Sequence, residues 1–203
     1  MRIVKTPKFV QSLFNSLIWR KENSEKEIYL TFDDSPTSEF TTWIIHLLNR
    51  LNIQATFFCI GKSAKKYPKI INEILMHGHQ IGNHTYSHKN GILSNTKSYL
   101  KEIEKCKSIL PQTNLFRPPF GKIYPWQIKK IQKQYKIIMW DVLSYDFDKK
   151  ICSVKLKKNI LENTESGSII VFHDNKKSEK ILKESLEEIL KTLLKNGFKF
   201  GII

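Results

Sequence analysis

The chain is short of arginine. Of 34 basic residues only Arg2, Arg20, Arg50 and Arg117 are arginine, although the formal net charge is +15 over 203 residues. Base readout and phosphate forks favour the planar guanidinium. A charge carried by lysines dispersed along the whole chain reads as a solvated surface, and no nucleic acid is expected as a partner. Cysteine is scarce as well. Cys59, Cys106 and Cys152 lie far apart with no C-x-x-C, which argues against a disulfide framework and a cysteine zinc site. Each sits among apolar neighbours and is expected to be a buried free thiol. No apolar run approaches the ~20 residues of a bilayer-spanning helix. The stretch from Met1 to Val10 lacks the apolar segment of a secretory signal, so the expected compartment is the cytoplasm. Hydrophobic residues at 40% and aromatics at 11% exclude wholesale disorder, and the length suits one domain.

Residues 1–27 read as a lead-in segment, in which Phe9, Val10, Leu13, Phe14, Leu17 and Ile18 recur at helical spacing. This short amphipathic helix is expected to close the underside of the fold, or else to make a peripheral membrane contact through residues 9–19. From residue 28 to 203 strands and helices alternate. Buried strands are expected over 28–32, 55–60, 79–84, 115–117, 137–142, 168–173 and 198–203. Helical faces lie between them, among them Phe40, Trp43, Ile44, Leu47, Leu48 and Leu51, and Ile181 to Leu194. Such alternation predicts an α/β fold with about seven parallel strands. A closed or nearly closed barrel and an open doubly wound sheet both satisfy the periodicity.

The polar residues fall at strand ends: Asp33-Asp34, His84, Arg117, Asp141 and His173-Asp174. In parallel α/β folds that edge collects ligands and catalytic groups. An aspartate after a strand often merely caps the next helix, but five strand ends of this kind point to a shared site. His84 and His88 are four apart, which on a helical turn places both imidazoles on one face. Two surface histidines near a turn would show the same spacing. With Asp34 as third ligand, the set leaves a fourth position for water, as catalytic zinc sites require. Asp33 would then stand near that water as a proton acceptor, kept ionised by Arg117. A plain turn would also account for Asp33-Asp34-Ser35-Pro36. His46 is expected on a helix flank, and His77 and His79 beside the turn at Gly78.

These motifs resemble, in order, those of the polysaccharide deacetylases of the NodB-homology type, carbohydrate esterase family 4. They are T-F-D-D-S-P at 31–36, H-T-Y-S-H at 84–88, R-P-P-F-G at 117–121, W-D-V-L-S-Y-D-F at 140–147 and G-S-I-I-V-F-H-D at 167–174. The resemblance covers residues 28–203 and implies a distorted (β/α) barrel with a divalent metal, usually zinc, on Asp34, His84 and His88. It implies Asp33 as general base, His173 as general acid held by Asp146, and Arg117 orienting Asp33. It further implies the Phe120 N–H as an oxyanion donor, with Pro119, Phe147 and Val171 on the substrate side. The implied reaction removes an N-acetyl group from an N-acetylglucosamine-type sugar, chitooligosaccharide or peptidoglycan-like. A deacylase of another N-acyl compound, such as a lipid-linked formylated sugar, and a non-catalytic carbohydrate-binding protein are the alternatives. Ser35, Leu143, Phe147 and Val171 depart from the usual Gly, Asp, Trp and Leu. Serine at 35 is expected to be uncomfortable if the turn there needs a positive φ.

Overall fold

The structure, a computed structural model, describes residues 3–21 and 25–203. Its centre is β1 (Glu27–Ser35), where Ile28 to Phe32 are all buried. A strand covered on both faces needs no alternation in hydrophobicity, but its side chains still alternate in direction. Ile28, Leu30 and Phe32 join the large core under the outer helices, whereas Tyr29 joins the interior cluster of Phe58, Leu115, Ile138 and Ile169. The same period sends Thr31 and Asp33 inward, and Thr31 and Asp33 both meet Arg117 there.

Parallel partners flank β1: β2 (Thr56–Cys59) and β7 (Ile169–His173), with β8 (Lys199–Gly201) beside its first residues. Beyond β2 come β3 (Gln80–Asn83), β4 (Leu115–Phe116) and β5 (Lys136–Ile137); beyond β7 comes β6 (Val142–Leu143). The helices α2 (Glu39–Arg50), α4 (Pro68–Met76), α7 (Ser153–Leu161) and α8 (Glu179–Lys195) cover the outside. On α8, Leu182, Leu186, Ile189, Leu190 and Leu193 are buried, each such side chain contributing ~1.5–3 kcal/mol. The short α3 (Gly61–Lys66) precedes α4, and α5 (Thr96–Lys107) and α6 (Pro125–Ile131) complete the layer.

The expected single strand over 137–142 is instead two short strands on opposite edges of the sheet. Arg117 is the reason. Its guanidinium donates to the Ile138 and Met139 carbonyls, which occupies the acceptors that a continued strand would offer a neighbour. The split also requires the sheet to curl. Seven strands laid flat would span roughly 29 Å at ~4.8 Å spacing. The five steps from Ile137 to Val142 reach at most ~18 Å. The parallel strands therefore curl into a half-barrel whose edges are β5 and β6, and the flat, open doubly wound alternative is excluded.

The lead-in runs along this crossover and supplies the missing backbone partners. Ile18 N–H donates to the Ile137 carbonyl and Met139 N–H to that of Ile18, while Leu143 N–H donates to Val4 and Thr6 N–H to Asp141. The expected amphipathic stripe does not form one helix. The helix α1 is only Lys8–Leu13 and buries nothing; Phe9 and Leu13 are each 73% exposed. Phe14, Leu17 and Trp19 turn the other way, into the cluster of Tyr99, Phe116, Ile128 and Tyr135. Crossover hydrogen bonds on both sides of α1 pull the chain out of helical register, so packing falls on residues after it. The expected lead-in residues 1, 2 and 22–24 lie outside the described residues. Among the described residues no helix is long and apolar enough to cross a membrane. Cys59 and Cys106 are buried, as expected, and burial raises both thiols, Cys106 to about 12. Cys152 is exposed, because it stands at the N-cap of α7 outside the apolar face.

Candidate active site

The inward side chains at the C-terminal ends of β1, β3, β4 and β7 converge on one cavity of about 370 Å³. Its floor is set by Arg117, which is fully buried. The guanidinium lies over the Phe58 ring at 4.1 Å. Phe58 has room because residue 82 is glycine: a Cβ there would meet the ring at 2.5 Å. Arg117 donates to Asp33 Oδ1 and Thr31 Oγ1, each at 2.7 Å. Burial alone would raise the Asp33 carboxyl, but Arg117, with His84 and His173, overrides it and holds the group below the usual carboxylate range. Asp33 is thus a buried, ionised, aligned carboxylate.

His173 is its neighbour by register: β1 and β7 pair Asp33 with His173, one strand spacing apart. Asp146 is fully buried and accepts from the His173 amide and from Nδ1, both at 2.7 Å, and from Ser144 Oγ at 2.9 Å. Burial opposes a charged imidazole here. The Asp146 carboxylate outweighs it, Asp33 and Asp34 add to it, and the pKa is pushed up to about 9. The Phe147 ring stands edge-on to His173 at 4.9 Å. Val171 and Leu143 are paired in register and line the cavity, so the expected departures at 143, 147 and 171 build a smaller apolar wall.

Asp34, His84 and His88 meet, with one ligand atom from each within 4.8 Å of the others. His84 Nδ1 lies 2.8 Å from the Arg117 carbonyl. A carbonyl only accepts, so Nδ1 carries the proton and Nε2 presents its lone pair to the cavity. Asp34 Oδ1 is buried with no hydrogen-bond partner, 3.2 Å from His88 Nε2 and 3.8 Å from His84 Nε2. Tetrahedral ligands ~2.0–2.1 Å from one ion stand about 3.4 Å apart. An orphaned carboxylate oxygen between two imidazole nitrogens at these spacings fits a divalent cation. Burial, with His84 beside it, lowers the His88 pKa to about 4, so its nitrogen is free to ligate at neutral pH.

The local backbone differs from the sequence expectation in two places. Residues 84–88 are a loop, not a helical turn: Thr85 and His88 have φ of 63° and 58°. Side chains capture the backbone donors that a helix would use, Asn83 Oδ1 taking Thr85 N–H and Glu102 Oε2 taking Ser87 N–H. The positive φ of the D-D-S-P turn falls on Asp34, at 70°, and not on Ser35, so serine at 35 carries no such strain. Aspartate tolerates this region better than most residues.

Two strand-end residues lie away from the cavity. Asp141 accepts from Ser168 Oγ and from Gln11 Nε2 at the opposite end of β7, because the chain turns before β6 and not after it. Asp174 accepts from Thr37 and Thr41 and ties the loop after β1 to α2; burial raises its pKa. Pro119 is buried beneath the rim and does not line the cavity. Phe120 does, with a φ of 61°. Its amide has no acceptor among the described residues. His46 lies on an exposed flank of α2, and His79 is buried, where desolvation lowers it to about 4.

Asn175 was not legible as a site residue in the sequence; its Nδ2 donates to Asp34 Oδ2 at 2.7 Å and leaves the Oδ1 lone pairs free to ligate. Its only signal was its place directly after His173-Asp174. Trp140, Lys122 and Lys177 also line the cavity; Trp140 opens a motif already singled out.

The family model described as polysaccharide deacetylase matches residues 20–140. A peptidoglycan-N-acetylglucosamine deacetylase of Bacillus cereus is 38% identical over 156 residues, 74% of this chain and 56% of its own length. A second of that name, from the same organism, is 30% identical over 195 residues, covering 90% of this chain and 88% of itself. Thus the chain spans little more than half of the first relative and most of the second. A crystal structure of a peptidoglycan N-acetylglucosamine deacetylase in complex with 4-naphthalen-1-yl-N-oxidanyl-benzamide superposes with a TM-score of 0.89 at 32% identity, over 98% of this chain and 95% of that one. With a barrel that superposes over nearly its whole length and a matching family model, the chain belongs to the polysaccharide deacetylase family, the NodB-homology type of carbohydrate esterase family 4.

Proposed function

We propose that the protein hydrolyses the N-acetyl amide of N-acetylglucosamine-type sugars and releases acetate. The observation that carries this reading is the pairing of Asp33 with His173 at one level of the barrel: an ionised carboxylate and a protonated imidazole on one cavity. Amide hydrolysis needs both, a base for the attacking water and an acid for an amine that leaves poorly.

Asp34, His84 and His88 would hold a divalent ion, zinc being our assignment. Such an ion supplies Lewis acidity, which acidifies water and polarises an acyl carbonyl. The chain's own residues do the rest. Asp33 takes the water proton, and Arg117 fixes which carboxylate oxygen faces the cavity, since its N–H occupies Oδ1. The Phe120 N–H donates to the oxyanion; a donor of this kind is worth ~3–4 kcal/mol. Because that donor is backbone, the phenylalanine side chain is not needed for it. His173 then gives its Nε2 proton to the departing nitrogen, and Asp146 on Nδ1 keeps the imidazole oriented and charged. Val171, Leu143 and Phe147 offer an apolar pocket for the acyl methyl.

The test is release of acetate from N-acetylglucosamine oligomers with and without added divalent metal. Formate release from N-formyl sugars alone, or no release from any acylated sugar, would overturn the reading.

A further inference from the structure

The acid side of the cavity is tied to a buried amide on an outer helix. The inner face of α7 carries Leu156, Asn159 and Ile160, all buried, and residues three and four apart on a helix share one face. Asn159, 2% exposed, therefore holds a place that a hydrocarbon side chain would fill. A buried amide is tolerated where it is hydrogen-bonded. Asn159 Nδ2 donates to the Ser144 carbonyl at 3.0 Å, across 15 residues of chain.

That carbonyl lies where a regular sheet would give it another partner. Strands β6 and β7 pair in parallel, Leu143 with Val171, and the ladder runs one bond further, from Ser144 N–H to the Val171 carbonyl. In an evenly spaced parallel ladder the next bond runs from the His173 amide back to the Ser144 carbonyl. Here the His173 amide donates to Asp146 Oδ2 instead, at 2.7 Å. Asn159 takes up the carbonyl that this exchange strands. The turn between the two strands' ends is held in an unusual shape. Tyr145 has a φ of 63°, and Ser144 Oγ accepts from the Asp146 amide and donates to Asp146 Oδ1. A non-glycine residue keeps such a φ where its surroundings over-determine it. Ser144 and Asp146 are both fully buried, and Asn159 supplies a restraint on that turn from a distant part of the chain.

Resting on the deacetylase reading of the cavity, we propose that Asn159 is a positioning residue for the general acid: by holding the Ser144 carbonyl it leaves the His173 amide to Asp146 and so fixes the Asp146–His173 pair. Without the Asn159 donor, the stranded carbonyl competes with Asp146 for the His173 amide. The 144–146 turn then relaxes toward a regular strand, and Asp146 Oδ1 is drawn off Nδ1. Asn159 does not line the cavity; it acts through Ser144 and Asp146.

The test uses the full chain with added zinc and the variant Asn159→Leu, which keeps the branched shape and has no donor. Amide cleavage is read as acetate release from an N-acetylglucosamine tetramer. Ester cleavage is read with para-nitrophenyl acetate, whose phenolate departs without a proton. Asn159→Leu is expected to lower kcat for the amide ~10–100-fold, with KM and the ester rate each changed less than about threefold. General damage to the fold would lower both rates together. A second readout needs no turnover. The His173 Nδ1 proton sits in a short charge-assisted hydrogen bond and gives a downfield proton NMR signal, identified by its loss in His173→Ala. That signal should move upfield or vanish in Asn159→Leu, although Asp146 is still present. Asn159→Ala serves if the leucine variant fails to fold. Equal losses on amide and ester, or a signal unmoved in both variants, overturn the positioning role and leave the reaction standing. No acetate release by the wild type, with a signal that depends on Asn159, overturns the reaction and supports the positioning.

Discussion

Replacing Asp146 with asparagine removes the charge that keeps His173 protonated. Burial disfavours the imidazolium, and the Asp146 carboxylate 2.7 Å from Nδ1 reverses that, with the value pushed up to about 9 from an ordinary 6.5. The working form of a general acid is the protonated one. The rate therefore falls as pH rises through the folded pKa. At pH 8 a group of pKa about 9 is roughly 90% protonated, and one returned to 6.5 is roughly 3% protonated. Asp146→Asn should then cost about thirtyfold at pH 8 from protonation alone, but less than about twofold at pH 6. A divalent cation held by Asp34 would cancel part of the attraction from the cavity carboxylates and shift both profiles downward together, so the gap between them would survive while the pH at which a given loss appears would move down with them. The amide also offers one acceptor oxygen where the carboxylate serves the His173 amide, Nδ1 and Ser144 Oγ. One buried donor loses its acceptor, which costs ~1–3 kcal/mol of stability at every pH. The assay is acetate release from the tetramer between pH 5 and 10, with thermal unfolding alongside. A variant whose basic limb stays in place, or whose rate drops equally at all pH values, would refute the role of His173 as the titrating acid.

Metal analysis of the dialysed chain should find one divalent ion, and His84→Ala with His88→Ala should lose it; a stoichiometric ion surviving in the double variant sinks the ligand assignment. Asp33→Asn should retain that ion yet lose a factor of ~10²–10⁴ in rate, and near-normal deacetylation would return Asp33 to the status of a turn residue. Leu17→Ala should cost ~2–5 kcal/mol in urea unfolding, because Leu17 is buried against the β4–β5 side of the barrel. An unchanged midpoint would show that the lead-in after α1 is dispensable to the fold.

Much of the site was readable along the chain because strand periodicity is local. Tyr29, Thr31 and Asp33 share a face by spacing alone, as do Ile169, Val171 and His173. Once both strands are parallel, their ends must present Asp33 and His173 together. Helical faces such as Ile44, Leu47 and Leu48 were readable for the same reason. What spacing could not provide was the identity of distant hydrogen-bond partners. Arg117 occupies the carbonyls of Ile138 and Met139 and splits one expected strand into two edges. Glu102, 15 residues further on, takes the Ser87 N–H and so, with the adjacent Asn83, holds the loop at 84–88 out of a helix. Asn175 occupies one oxygen of Asp34 and frees the other. Asp141, Asp174 and Cys152 share the local signature of residues near a strand or helix end, and their environments differ because of which segment packs beside them. Local sequence determined the direction in which each side chain leaves the backbone; the tertiary structure decided what it meets, since donors and acceptors far apart in the chain pair only when the sheet curls.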